Sequence, residues 1–292
     1  MFKNFTKEFV KVKKGKIFCR VSGNGTPLLL LHGYPQTHVM WHKVAPLLAK
    51  KFKIIIADLR GYGQSFYMNG DKNHANYSKR EMAKDMVQLM KKLGHDKFLL
   101  AGHDRGARVA HRLARDFRKH VIAMSILDIC PTLDMYNATN KEFATGYFHW
   151  FFLIQPKPLP ENFINKDPKS WLINCLKKWS GNFNFRGIDK HYIKYFKTNK
   201  SIHATCEDYR AGATIDLRHD KQDLTKKLNI PIQVLWGKQG RIGKQFKPLN
   251  VWQKYSNKKI VGKGLNCGHF LAEEKPIETA KELSKFLLKY SN

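Results

Sequence analysis

Short apolar runs alternate with segments of helical periodicity along the amino-terminal half of the chain. The runs have the length of strands and are bounded by Gly or Pro, which is typical of strands buried on both faces of a sheet. They occupy residues 27–31, 53–58, 97–103 and 121–129. The helical segments include residues 78–93, which Ser78 and Glu81 open as a capping box, and residues 105–117. The pattern predicts a hairpin at residues 9–22, followed by a mostly parallel α/β sheet flanked by helices.

The alternation stops after residue 132, and strand-like runs return only at 230–237 and 258–264. The segment between carries aromatic residues in clusters, among them Trp150, Trp171 and Trp179. Such an insertion after one strand is expected to form a helical cap over the carboxyl edge of the sheet. We therefore predict three sections: residues 1–132 as the first part of the core, 133–220 as the cap and 221–292 as the second part of the core.

The chain of 292 residues carries 53 Lys and Arg against 23 Asp and Glu, a formal net charge of +30. Such a charge suggests a nucleic acid or an anionic membrane surface as partner. The lysines are spread from end to end, however, without the clustered Arg and interleaved aromatics of a phosphate-binding face, and no apolar run is long enough to span a membrane. We expect no specific nucleic-acid partner and no membrane association, and assign most of the charge to a solvated surface.

The cysteines indicate a reducing compartment, because they are odd in number and show no C-x-x-C spacing. They are Cys19, Cys130, Cys175, Cys206 and Cys267. The amino-terminal segment has no continuous apolar core, so we expect no secretory leader and a cytoplasmic protein. No spacing typical of a zinc site, a dinucleotide fingerprint or a phosphate loop is present. We therefore expect neither a metal nor a cofactor.

The clearest chemical signal is the stretch GHDRG at residues 102–106, between a predicted strand and a predicted helix. Small residues around one functional residue at such a turn are the signature of a nucleophile elbow. The central residue is Asp104, and an Asp nucleophile forms an alkyl ester by displacement at carbon, which suits carbon–halogen bonds or epoxides. The alternative is an ordinary helix N-cap. The flanking glycines and the other candidate site residues described below favour the nucleophile.

A base and an acidic residue that orients it are expected at the same sheet edge. His269 follows the last predicted strand and can lie beside Asp104, where a neutral imidazole would activate water against the ester. The orienting acid could follow the strand at 121–129 or the strand at 230–237. The second strand ends in WGKQG without a carboxylate, so we assign the role to Asp128.

Two arginines follow the nucleophile, with Arg108 about one helical turn after Arg105, so both can face one cavity. Such a pair would clamp a carboxylate and offset its repulsion from an anionic nucleophile, which predicts a small 2-halo acid as substrate. The alternative for Arg105 is a salt bridge to a loop carboxylate. Further along this segment, Arg112, Arg115 and Arg118 are expected to be solvated. Backbone N–H groups of residues 32–35 are expected at the oxyanion position.

These motifs resemble those of the fluoroacetate dehalogenases, a branch of the α/β-hydrolases. The specific stretches are GHDRGARVAHR at 102–112 and the His149-Trp150 block within YFHWFFLIQPKPLPEN at 147–162. More widely shared stretches are HGYPQ at 32–36, DLRGYG at 58–63, LDICPT at 127–132, CEDYRAGA at 206–213 and CGHFLAEE at 267–274. The resemblance covers nearly the whole chain and implies an α/β-hydrolase fold with a helical cap, compatible with a homodimer.

The resemblance also implies roles for individual residues. Asp104 would attack the carbon that bears the halogen, Arg105 and Arg108 would hold the substrate carboxylate, and His269, oriented by Asp128, would activate water. His149, Trp150 and Tyr209 are similar to the family's halide donors, although Tyr192 and Tyr195 lie nearby in the sequence. The pocket includes Trp179 and Tyr34, where the family more often has Phe.

Two other functions remain open on the sequence alone. An epoxide hydrolase would share the Asp nucleophile, the His and the cap, but its elbow more often resembles H-D-W-G. Arg105 occupies the position of that Trp, and an epoxide has no carboxylate for an Arg to bind. A non-enzymatic binding protein, including a polyanion-binding module, would have no use for Asp104, His269 and Asp128 together.

Overall fold

The strands predicted from the apolar runs form one sheet in the computed structural model, which describes residues 1–291. The strands are β1 Thr6–Val12, β2 Gly15–Ser22, β3 Pro27–Leu31, β4 Lys53–Ala57, β5 Phe98–His103, β6 Val121–Leu127, β7 Ile232–Gly237 and β8 Val261–Leu265. Their order is β1-β2-β4-β3-β5-β6-β7-β8. β1 and β2 form the predicted hairpin, β2 pairs antiparallel with β4, and all later pairs are parallel. The predicted mostly parallel α/β sheet is confirmed.

Helices flank this sheet before and after a long helical insertion. The core helices are α1 Ala45–Leu48, α2 Lys79–Lys92, α3 Asp104–Asp116, α12 Arg241–Gln245, α13 Pro248–Gln253, α14 Leu271–Glu274 and α15 Pro276–Leu287. α2 packs on α3, which contacts β5 and β6, while α15 packs on α1 and also contacts β6. Every residue of β5 is buried, as expected for a strand with helices on both sides of its sheet.

The insertion lies between β6 and β7 and is entirely helical in its regular structure. Its helices are α4 Thr132–Asn137, α5 Lys141–Gly146, α6 Phe148–Leu153, α7 Leu159–Lys166, α8 Pro168–Trp179, α9 Asp189–Phe196, α10 Asn199–Ala213 and α11 Ile215–Gln222. α10 is central, with contacts to α6, α7, α9 and α11. We propose residues 133–220 as the cap, since helices of this segment begin at Thr132 and end at Gln222. Among residues 1–291, no helix combines the length and apolarity needed to cross a membrane.

The arginines on the far part of α3 depart from expectation. Arg112 is buried, at 3% exposure, and its guanidinium forms ion pairs of 2.6 Å with both Asp220 and Asp223. Arg115 is partly buried and donates to the backbone carbonyl of Asp223, so that only Arg118 is exposed. The prediction of solvated arginines was therefore wrong for Arg112, because α11 and the turn after it bring their carboxylates onto α3.

Candidate active site

The predicted nucleophile elbow is a sharp junction between β5 and α3. β5 ends at His103, and α3 begins at Asp104, whose backbone φ is +44°. A Cβ on Gly102 would lie 2.6 Å from the carbonyl oxygen of Gly106, and a Cβ on Gly106 would lie 2.4 Å from that of His32. No larger residue fits at either glycine without a shift of the backbone. The two glycines therefore permit the strained turn that presents the Asp104 carboxylate at the start of a helix.

The Asp104 carboxylate lies in a buried and electropositive setting. It is 7% exposed, and its Oδ2 accepts a hydrogen bond of 3.0 Å from the backbone N–H of Tyr34. Burial by itself would raise the pKa of this carboxyl, but His269 and Arg108 nearby hold the pKa below its ordinary value. Asp104 is therefore an anion at neutral pH. The backbone N–H of Tyr34, one of the groups expected at the oxyanion position, therefore donates to the Asp104 carboxylate itself.

His269 and Asp128 form the base and the acid that orients it. The Nδ1–H of His269 donates to Oδ2 of Asp128 over 2.5 Å, and the backbone N–H of Gly237 donates to Oδ1 of Asp128 over 2.8 Å. A carboxylate has no proton to donate, so this contact leaves Nε2 as the basic nitrogen of the neutral ring. Burial opposes the charged imidazolium, yet the Asp128 contact raises the pKa of His269 above its ordinary value. The cap also contacts this loop, since the carbonyl of Trp179 accepts the backbone N–H of His269 at 2.8 Å.

A cavity of about 340 Å³ lies between the core and the cap. Six of the predicted site residues line it, namely Asp104, Asp128, His149, Trp150, Trp179 and His269. The other four predicted residues, Tyr34, Arg105, Arg108 and Tyr209, are buried next to this lining. The lining also includes Lys178 from α8, Arg241 and Lys244 from α12, and Glu142 from α5. The structure thus brings residues from distant parts of the sequence to one chamber, whose lining includes three cationic side chains.

Arg108 is a buried cation without an acidic partner. It is 4% exposed, and its Nη1 donates to Oγ1 of Thr132 at 2.8 Å and to the carbonyl of Cys130 at 3.3 Å. Its guanidinium lies 4.7 Å from the centre of the Trp150 ring. Within residues 1–291, its Nε has no hydrogen-bond partner and no carboxylate forms an ion pair with it. Burial consequently lowers the pKa of Arg108, and a bound anion would relieve this cost.

Arg105, in contrast, is already paired inside the protein. Its Nε donates to Oδ2 of Asp208 at 2.9 Å and its Nη2 donates to Oδ1 of Asp208 at 2.7 Å. Its guanidinium lies 4.2 Å from the centre of the Tyr209 ring. The alternative of a salt bridge for Arg105 is therefore present, with a carboxylate of cap helix α10 where the sequence suggested a loop. Its Nη1 makes no hydrogen bond within the described chain.

The three residues assigned to the halide come together in the cap. The ring of Tyr209 lies 5.7 Å from that of His149 and 6.5 Å from that of Trp150, measured between centroids. Burial lowers the pKa of His149 to about 3, so the ring is neutral and retains one N–H to donate. Burial likewise raises the pKa of Tyr209, which keeps its O–H. The Trp179 ring closes this group at 4.3 Å from His149.

The other tyrosines considered from the sequence lie elsewhere. The hydroxyl of Tyr192 donates to Oε1 of Glu273 at 2.5 Å, so it is committed to another contact. Tyr195 is partly exposed and, unlike Tyr209, makes no ring contact with His149 or Trp150 within residues 1–291. The structure therefore favours Tyr209 over both. It also gives Tyr34 a partner, since the Tyr34 hydroxyl accepts a hydrogen bond of 2.6 Å from Nε1 of Trp171.

Sequence reasoning missed several residues of this site. Asp208 stands directly before Tyr209 in the CEDYRAGA stretch, and that adjacency was the available signal. Tyr147 lines the cavity two positions before His149, where a run of aromatics obscures any single member. Among the described residues, no group of three or more His, Cys, Asp or Glu side chains is arranged to hold a metal ion.

Comparison with known proteins places the chain in a family. The family model for the alpha/beta hydrolase fold matches residues 26–276. A fluoroacetate dehalogenase from Burkholderia sp. is 41% identical over 98% of this chain and 95% of its own length. A soluble epoxide hydrolase from Corynebacterium sp. (strain C12) is 35% identical over 89% of this chain and 90% of its own length.

Solved structures agree with this assignment. A crystal structure of a protein described as an alpha/beta hydrolase, from Nostoc sp. PCC 7120, is 50% identical, with a TM-score of 0.97. The match covers 98% of this chain and 99% of that one. The chain belongs to the α/β-hydrolase family, in the branch that contains the Burkholderia fluoroacetate dehalogenase.

Proposed function

We propose that the chain hydrolyses small 2-haloacids, converting fluoroacetate and other haloacetates to glycolate and halide. The observation that carries the proposal is Arg108, a buried guanidinium with an unpartnered Nε beside the anionic Asp104. A carboxylate on the substrate would supply the missing counter-ion and bring the halogen-bearing carbon to the nucleophile. The Burkholderia relative supports the same substrate class.

In the first step, an oxygen of Asp104 attacks the carbon that bears the halogen. A carbon–oxygen bond forms, the carbon–halogen bond breaks, and the halogen leaves with the bonding pair as halide. No proton moves in this step, which requires only that Asp104 be ionised. The depressed pKa of Asp104 meets that requirement at neutral pH.

In the second step, His269 removes a proton from a water molecule that attacks the carbonyl carbon of the Asp104 ester. The bond from that carbon to the ester oxygen breaks, and His269 returns its proton to the leaving oxygen to give the hydroxy acid. Asp104 returns to its carboxylate form as one proton passes to solvent. Asp128 keeps the His269 ring in the tautomer with Nε2 free.

The leaving halide needs donors in place of water, especially when it is fluoride. His149, Trp150 and Tyr209 each carry one N–H or O–H, and the first two line the cavity with Asp104. A donor of this kind typically contributes ~3 kcal/mol to the stability of a developing anion. The three together supply an environment suited to the strongest carbon–halogen bond.

A second candidate is epoxide hydrolysis by the same Asp104, His269 and Asp128. The observation in its favour is the Tyr209 hydroxyl, which has no hydrogen-bond acceptor among residues 1–291 and could protonate an epoxide oxygen. The Corynebacterium relative is an epoxide hydrolase. An epoxide would nevertheless leave Arg108 without an anion, and therefore we favour the haloacid.

The test is to measure fluoride and chloride release from fluoroacetate, chloroacetate and 2-chloropropionate, together with diol formation from styrene oxide. We expect halide and hydroxy acid in equal amounts from at least one haloacid, and little diol. Diol formation without halide release would replace the proposal by the epoxide reaction.

We also propose a cytoplasmic location, the small haloacid as the partner, and neither a specific nucleic acid nor a membrane; a homodimer is compatible with this proposal. The five cysteines are all buried and none forms a disulfide. Reduced thiols of this kind fit a reducing compartment.

A further inference from the structure

The two arginines of the site differ in how their charges are compensated. Nε and Nη2 of Arg105 donate hydrogen bonds to the carboxylate of Asp208 on cap helix α10. Nη2 also donates to the backbone carbonyl of Asp208 at 2.7 Å. No acidic side chain pairs with Arg108 in the part of the chain that the structure describes. Arg105 is therefore neutralised by the cap, whereas Arg108 is held by hydrogen bonds to Thr132 and Cys130 but has no ion pair to compensate its charge.

Asp208 is itself held firmly. It is fully buried, and it accepts hydrogen bonds from the hydroxyl of Tyr62 at 2.6 Å and from Nζ of Lys79. Lys79 in turn forms an ion pair of 3.3 Å with Asp216. Burial by itself would raise the pKa of Asp208, but Arg105 and Lys79 hold it well below its ordinary value. The carboxylate is therefore charged and has no freedom to release Arg105.

We propose that Asp208 is a positioning residue that divides the work of the two arginines. It locks Arg105 in one orientation and cancels its charge, so that Arg105 contributes a directed N–H through Nη1 while Arg108 supplies the charge that binds the carboxylate. Because Tyr209 follows Asp208 on α10 and lies against Arg105, the same contact sets the cap donor relative to the nucleophile. The inference rests on the proposed haloacid reaction.

The division of roles gives an unusual signature for Asp208→Asn. The variant replaces the paired carboxylate contact of Arg105 by at most one amide oxygen, so Arg105 is held less firmly and kcat for fluoroacetate is expected to fall by about tenfold or more. It also leaves the charge of Arg105 uncompensated, so the inhibition constant of acetate is expected to stay the same or to decrease. Asp216→Asn is the matched control, because Asp216 pairs with the same Lys79 but does not touch Arg105. We expect it to keep both values within about twofold of wild type.

A double-mutant cycle tests whether Asp208 acts through Arg105. In an Arg105→Lys background, adding Asp208→Asn is expected to lower kcat little further, since the two parallel hydrogen bonds from the Arg105 guanidinium to the Asp208 carboxylate are already lost. Fully additive losses, or acetate binding that weakens in step with kcat, would overturn the proposal. If Asp208→Asn does not fold, Tyr62→Phe removes one hydrogen bond to Asp208 and keeps every charge. That variant should lower kcat without weakening acetate binding, and a wild-type kcat would contradict the positioning role.

Acetate binding measured by calorimetry separates this proposal from the proposed function. A wild-type protein that binds acetate but releases no halide would contradict the haloacid reaction alone. The comparison of acetate affinity between wild type and Asp208→Asn remains valid in that case, and weaker binding in the variant would contradict the role of Asp208.

Discussion

Nδ1 of His269 lies 2.5 Å from Oδ2 of Asp128, the shortest polar contact of the two residues assigned to ester hydrolysis. The contact fixes the tautomer of the ring and raises the pKa of His269 above its ordinary value of 6.5. Since only the neutral imidazole can accept a proton from water, the protonation of His269 controls the second step.

The hydrolysis step is therefore expected to speed up as the pH rises through a pKa above 6.5. Asp128→Asn removes the charge that stabilises the imidazolium, so the midpoint should move to lower pH while the maximal rate falls because the tautomer is no longer fixed. Single-turnover decay of the ester across pH measures both effects. An unchanged midpoint in Asp128→Asn would show that a group other than His269 controls the rate of ester hydrolysis at low pH.

Arg108→Lys should raise KM for fluoroacetate by about tenfold or more, because one ammonium cannot replace the planar guanidinium at a carboxylate. Styrene oxide turnover, if any, should be spared, since an epoxide carries no anion. Arg118→Lys is the control, as Arg118 is exposed beyond the far end of α3. If turnover of fluoroacetate and of styrene oxide fell equally in Arg108→Lys, Arg108 would not act by binding the substrate carboxylate.

Much of the architecture was accessible from sequence because its signals are local. A strand buried on both faces is a short apolar run, and the elbow around Asp104 lies within five consecutive residues, 102–106. Asp128 was found by elimination between two strand ends, and in the structure it contacts His269 directly. These assignments depend only on the order of elements along a parallel sheet.

The contacts that escaped sequence reasoning join distant segments. Arg105 and Asp208 are 103 positions apart, and only the docking of the cap onto α3 brings them together. Arg112 was wrongly expected to be solvated because its partner Asp220 lies 108 positions later in the chain. A charged residue on a predicted helix carries no local mark of whether a later helix will cover it.

Glu273 should make the stability of the fold depend on pH. Burial raises the pKa of this carboxyl from 4.5 to about 8, while Gln36 and Tyr192 donate hydrogen bonds to it. The folded state then holds the proton more tightly than the unfolded state, so the free energy of unfolding declines as the pH rises from about 4.5 to about 8. Each unit of difference corresponds to ~1.4 kcal/mol.

Glu273→Gln should remove that decline, so that the variant gains stability over wild type as the pH increases. Urea unfolding at about pH 5 and about pH 9 measures the difference. Glu278→Gln, at a partly exposed position of α15, is the control and should keep the wild-type dependence. If the free energy of unfolding of Glu273→Gln declined with pH as much as that of wild type, a group other than Glu273 would be responsible.

The cations that line the cavity should make catalysis sensitive to salt. Lys178, Arg241 and Lys244 form no ion pair among the described residues, and they line the same cavity as the anionic Asp104, with Lys178 and Lys244 exposed to solvent. We expect kcat/KM for fluoroacetate to fall as ionic strength rises, and the double variant Lys178→Gln/Lys244→Gln to show a lower value with a weaker salt dependence. Lys92→Gln/Lys97→Gln carries the same loss of charge on an exposed surface and should behave as wild type. A salt-insensitive kcat/KM would mean that the net charge of +30 has no part in substrate capture.

The most direct test of the account is the intact mass of His269→Asn after incubation with fluoroacetate. The first step needs no base, so the variant should release one equivalent of fluoride and retain one carboxymethyl group, located on Asp104 by peptide mapping. The matched variant Asp104→Asn should release no fluoride and gain no mass. Fluoride release without any adduct, or an adduct on a residue other than Asp104, would contradict the proposed ester intermediate.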